Sequence, residues 1–99
     1  MTVIVTRDVA ARFRGFLSSV MLEIAPSVYT SPNMTRGVRQ RVWTVLADWY
    51  GQLGGGAIVM TYRDLEAPGR QAVVSLGEPP GVLVEADGML LVKRETPAV

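Results

Sequence analysis

The 99-residue chain contains neither cysteine nor histidine. Without thiols it has no disulfides and no thiolate metal sites. Without imidazole, Ser-His-Asp and Cys-His catalysis, histidine-based zinc sites and the commonest general base are all excluded. Carboxylates number nine and are scattered, so any cleavage chemistry would rest on carboxylates holding a hard cation such as magnesium. No apolar run approaches the roughly 20 residues that span a bilayer. The N-terminus also lacks the charged region and long apolar region of a signal peptide. A cytoplasmic protein without membrane contact is expected.

A chain of this length builds one domain with a single modest core and leaves much surface exposed. The hydrophobic share of 48% leaves apolar residues to spare for a subunit contact. Net charge is only +1 but unevenly placed. Residues 1–47 carry Arg7, Arg12, Arg14, Arg36, Arg39 and Arg41 against Asp8 and Glu23, six minus two, or +4. Residues 48–99 carry four basic side chains against seven acids, or −3. Such asymmetry points to a polyanion for the basic half, set against the plainer reading of a solvated surface.

Val3-Ile4-Val5 reads as a short buried strand. Val9, Phe13, Phe16, Leu17, Val20, Met21 and Ile24 recur at spacings of three and four, which predicts an amphipathic helix running to Pro26. Asp8 is placed to cap it. Helix N-termini present free N–H groups and partial positive charge, so an anion-binding surface is expected where this one meets Arg7, Arg12 and Arg14. Arg12 and Arg14 fall about 100° to either side of the apolar stripe, and Leu22 sits opposite it, where a partner contact is expected. Ser27 to Thr30 reads as a short strand, then Ser31 as N-cap and Pro32 as first residue of a second helix. That helix carries the stripe Met34, Val38, Val42, Val45, Leu46, Trp49 and Leu53, with Arg36, Arg39 and Arg41 off it. Gly51 and Gly54-Gly55-Gly56 are expected to stop it.

The remainder is strand-like. Ala57–Tyr62 and Gln71–Leu76 pair as a hairpin around Glu66-Ala67-Pro68-Gly69, Gly77–Gly81 is a break, and 82–85 and 89–92 flank the hairpin dipeptide Asp87-Gly88. Thr96–Val99 reads as a loose tail. The fold class is therefore α+β, a split βαβ sheet with both helices on one face. Residues 1–78 form the core and 79–99 a C-terminal strand extension, whose hairpin exceeds what the small sheet needs and is suited to pairing with another chain.

Several stretches together resemble one family: Val5-Thr6 followed by Val9, Arg12-Phe13-Arg14-Gly15, Glu23 before Val28-Tyr29, Arg39 leading into Val42-Trp43, Val59-Met60, and Asp87-Gly88-Met89-Leu90-Leu91-Val92. In order, spacing and total length they resemble CRISPR-associated protein two, type I-E branch, the small non-integrase partner of the CRISPR adaptation integrase. The resemblance implies a ferredoxin-like homodimer whose C-terminal strands cross to the other subunit and meet the integrase. It implies that the dimer supports the middle of a protospacer-like DNA duplex before insertion as a spacer. It further implies that Arg12 and Arg14 reach the DNA backbone, with Arg39 at a matching position and Arg36 matching in charge and neighbourhood. Backbone contacts position a duplex without reading its sequence. Two departures stand out. Arg7 replaces an acidic residue, which removes a potential metal ligand, and no basic residues occur near Gly77-Glu78-Pro79, which leaves the helix-one arginines a larger share.

Three functions follow as expectations. The first is a DNA-scaffolding subunit with no chemistry and no required cofactor, binding through Arg12, Arg14, Arg36 and Arg39. The second is a magnesium-dependent endonuclease in which two copies of Asp8 share an ion across a dimer axis, against the reading of Asp8 as a helix cap. The third is a generic small domain that docks a protein or metabolite. Trp43, Trp49, Tyr29, Tyr50 and Tyr62 have the chemistry to stack on bases, though their spacing fits core or interface. Gly54-Gly55-Gly56 opens no helix and lacks a following lysine, a weak match to a phosphate loop.

Overall fold

The computed structural model describes residues 1–77, 82–86 and 89–93. Strand β1 (Thr2–Arg7) alternates strictly: Thr2, Ile4 and Thr6 are buried, while Val3, Val5 and Arg7 are not. That period-two pattern puts one face against the core. Helix α1 (Ala11–Val20) lays Phe13 and Leu17 onto that face. It is shorter than expected, because Leu22–Ala25 forms strand β2 instead of continuing the helix to Pro26. Pro26 supplies no backbone donor and biases the residue before it to extended geometry, so the chain exchanges a last helical turn for strand pairing. A tight turn at Pro26-Ser27 leads into β3 (Val28–Ser31), Ser27 standing at φ 65°. Its N–H donates to the Glu23 carboxylate at 3.2 Å.

Helix α2 (Arg36–Leu53) starts later than expected, with Thr35 rather than Ser31 as N-cap, the Thr35 hydroxyl accepting from Val38 N–H at 3.3 Å. Ser31 is already committed to the ladder opposite Thr2. Gly51 lies inside the helix, and only Gly54, at φ 61°, ends it. Strand β4 (Ala57–Arg63) follows, then a short 3₁₀ turn (Pro68–Arg70) and β5 (Gln71–Leu76). Strands β6 (Val82–Ala86) and β7 (Met89–Lys93) form a separate two-stranded antiparallel sheet. The Gly77–Gly81 break beyond Gly77, the Asp87-Gly88 dipeptide, the C-terminal tail and the boundary at residue 78 lie outside the described residues.

The main sheet is antiparallel throughout, in the order β2-β3-β1-β4-β5. The elements β1-α1-β2-β3-α2-β4 with that neighbour order give a ferredoxin-like α+β fold, β5 being added beyond β4. One core joins both helices to one sheet face: Phe13, Leu17, Val42 and Leu46 pack on Ile4, Tyr29, Ile58 and Met60. Among the described residues the other face carries no helix. Register places Val3, Val5, Val28, Thr30, Val59, Thr61 and Val73 on it, all half-buried or exposed.

Candidate nucleic-acid interface

The predicted arginines all sit on the helix layer, but they do not form one cluster. Arg12 and Arg14 flank Phe13, whose ring is buried, so the two guanidinium groups diverge around α1. Arg12 turns toward α2, its Cζ 5.2 Å from the centroid of the Trp49 ring. Trp49 is itself held edge-on by Phe13 and Phe16, at centroid separations of 5.8 and 5.3 Å. Arg14 turns the other way and lines a shallow depression with Glu23, Ile24 and Ser27 at the β2–β3 turn. Arg36 and Arg39 lie on the far flank of α2. Arg39 and Trp49, ten residues apart on α2, are separated by roughly 80° about its axis at about 100° per residue.

Arg36 and Arg39 share an open cleft of about 680 Å³ with Trp43, Tyr62, Asp64 and Glu66 among its lining residues. The Arg39 guanidinium carbon is 3.7 Å from the Tyr62 ring centroid, van der Waals contact with the ring face. Residues read from sequence as one basic surface thus divide into an outer pair on α1 and a cleft on the β4 side of α2. Arg63 also lines the cleft, whereas Arg41 is exposed on α2 and does not line it. Strand alternation, which puts Tyr62 on the same face as Met60, is the signal that ties β4 to Arg39.

The expected corner at the α1 N-terminus is built differently. Arg7 alternates with Val3 and Val5 onto the helix-free sheet face, so it does not join Arg12 and Arg14. Asp8 does not cap α1: the N-cap is Ala10, which offers no side-chain acceptor. Asp8 instead ends β1 in the left-handed region at φ 53°. The carbonyls of Arg7 and Asp8 press on Gly56, where a Cβ would overlap both. Among the described residues no three of Asp and Glu gather to hold a metal ion. Asp8 is exposed, with Arg7 next to it in sequence. The aromatics divide too. Tyr29 is fully buried, and Tyr50 points its hydroxyl toward the Gly56 carbonyl at 3.4 Å. Trp49 supports Arg12, whereas Trp43 and Tyr62 line the cleft.

Beneath Arg14, the Tyr29 phenol is pushed above its ordinary value of 10.0, by burial first and by nearby Glu23 second. Its hydroxyl lies near Glu23 and Ser18 yet makes no hydrogen bond of good geometry. Among the described residues no helix is long and apolar enough to cross a membrane.

A comparison with curated proteins returns no match. The sequence profile of the family described as CRISPR-associated protein (Cas_Cas2CT1978) matches residues 1–91. The chain therefore belongs to this Cas2-type family of CRISPR-associated proteins, and its role lies in CRISPR defence.

Proposed function

We propose that this chain is the DNA-scaffolding subunit of the CRISPR adaptation complex, gripping duplex backbone without reading sequence and performing no chemistry. The observation that carries this reading is the separation of its two faces. Arg12, Arg14, Arg36 and Arg39 all belong to the helix layer, whereas the opposite sheet face presents Val3, Val5, Val28, Val59 and Val73 between threonines, with Arg7 at its end. Arginines spread over one layer suit a long rod of phosphate charge. The uncapped N-terminus of α1 adds free N–H groups to the same side.

The apolar face gives the reading its homodimer. Val5 is 42% exposed in mid-strand and Leu22 is 66% exposed on the edge strand, a patch of the kind that marks a subunit contact. Two copies joined through their sheets would point two arginine layers outward. The edge of β5 away from β4 and the separate β6–β7 sheet offer strand pairing to a second chain and to the integrase subunit. Such work belongs in the cytoplasm and needs no cofactor.

The test is fluorescence anisotropy with short duplexes of unrelated sequence, run with and without magnesium. Equal affinities and intact DNA support scaffolding. Magnesium-dependent cutting that disappears in Asp8→Asn would establish the endonuclease instead.

A further inference from the structure

We propose that the cleft between the first half of α2 and the β4–β5 turn takes an unpaired nucleotide, its base stacked on the Arg39 guanidinium and its phosphate held by Arg36. This rests on the DNA-binding reading but assigns a different form of substrate, a base outside the duplex.

Alternation in β4 turns the Tyr62 ring to the helix side of the sheet, where Arg39 lies against it at 3.7 Å. The ring supports one face of the planar guanidinium, and because Arg39 also lines the open cleft, a second planar group entering there can stack on it. A platform already ordered by its neighbour loses little freedom when a base settles on it. Trp43, one helical turn after Arg39, lines the same cleft and adds a second aromatic surface. Arg36, almost one turn before Arg39, is exposed at the same cleft and suits a phosphate.

Size and charge agree. A cleft of about 680 Å³ is within the range that encloses small ligands. Its lining includes three arginines, Arg36, Arg39 and Arg63, against two acids, Asp64 and Glu66. Asp64 is already engaged, its Oδ1 accepting the Glu66 N–H at 3.0 Å within the turn. The concavity matters most. A half-buried guanidinium lying on a ring offers a duplex backbone only its N–H edge, whereas an extruded or single-stranded base can enter the cleft and stack on its face.

Three probes separate the contributions in the full chain: thymidine 5′-monophosphate, thymidine and inorganic phosphate, followed by Trp43 fluorescence. The nucleotide should change the emission, and Trp43→Phe should abolish that change. Arg39→Gln and Tyr62→Leu should each weaken nucleotide binding roughly tenfold, and Arg36→Gln should weaken the nucleotide but not thymidine. A duplex with single-stranded flanks should bind more tightly than the blunt duplex, and Tyr62→Leu should erase that advantage. The proposal is overturned if phosphate binds as tightly as the nucleotide, or if an oligoglutamate peptide competes equally well. Normal blunt-duplex binding with no advantage from flanks overturns this inference alone. Failure to bind any duplex overturns the DNA-binding reading beneath it.

Discussion

Arg12 and Trp49 lock the exposed side of α1 to α2: the guanidinium sits 5.2 Å from the ring centroid, and the ring is clamped edge-on by Phe13 and Phe16. The pairing converts a flexible basic side chain into a fixed point of positive charge, at a contribution of about 0.5–1 kcal/mol for an exposed cation–π contact. Trp49→Ala should therefore act twice. It should cost about 2–3 kcal/mol in urea denaturation, since a half-buried aromatic cluster is lost. It should also weaken duplex binding, though less than Arg12→Ala does. Unchanged duplex affinity in a folded Trp49→Ala protein would show that Arg12 needs no support.

Gly56 is the tightest backbone crossing among the described residues. Its φ is 71°, and a Cβ there would overlap the Arg7 and Asp8 carbonyls, whereas Gly55, at φ 77°, has open space around it. Gly55→Ala should cost about 1 kcal/mol through conformation alone. Gly56→Ala should cost clearly more, about 3 kcal/mol, because the end of β1 must move. Equal losses in thermal or chemical unfolding would contradict the close approach.

Much of this fold was legible in the sequence, and the exceptions have physical causes. The strands β4 and β5 are legible almost to the residue because period and turn chemistry agree there; of the stripe on α2, Val42 and Leu46 are buried as expected, while Met34 precedes the helix and Val38 and Leu53 are exposed. Strand β2 was missed because Leu22 and Ile24 continue the spacing of α1, and only pairing with β3 decides between helix and strand. Asp8 looked like a cap because it precedes an apolar stripe, but the helix begins at Ala11 and Asp8 is used to turn the chain. The arginines were legible as residues off the stripe. Their division was not, because it depends on Trp49 for Arg12 and on Tyr62 for Arg39, contacts made in three dimensions.

Tyr29 carries a pH dependence of definite sign. Its folded pKa is raised above 10.0 by burial and by Glu23, so above that value the unfolded chain releases the proton before the folded chain does. Stability is full below about pH 10 and falls as pH rises beyond it. Tyr29→Phe should remove this alkaline loss. It should be close to neutral at pH 7, because the buried hydroxyl has no well-formed hydrogen bond to lose. Denaturant midpoints at pH 7 and above pH 10, for both proteins, check both parts.

The helix-free sheet face predicts its own disruption. Val5→Glu places a charge at the middle of that face on a side chain already 42% exposed, so the monomer should fold with a loss below about 1 kcal/mol. Sedimentation should show the wild-type chain as a dimer and Val5→Glu as a monomer. A variant that stays dimeric would move the subunit contact elsewhere.

A helix layer that grips phosphate without reading bases leaves its signature in the salt dependence of duplex binding. Each arginine–phosphate contact contributes about 0.9 units to the slope of log K against log salt. Arg12→Ala/Arg14→Ala should therefore flatten the slope by roughly two units per protomer engaged and weaken binding equally for unrelated sequences. A double variant with wild-type slope and affinity, or one that loses affinity for some sequences and not others, would contradict the account.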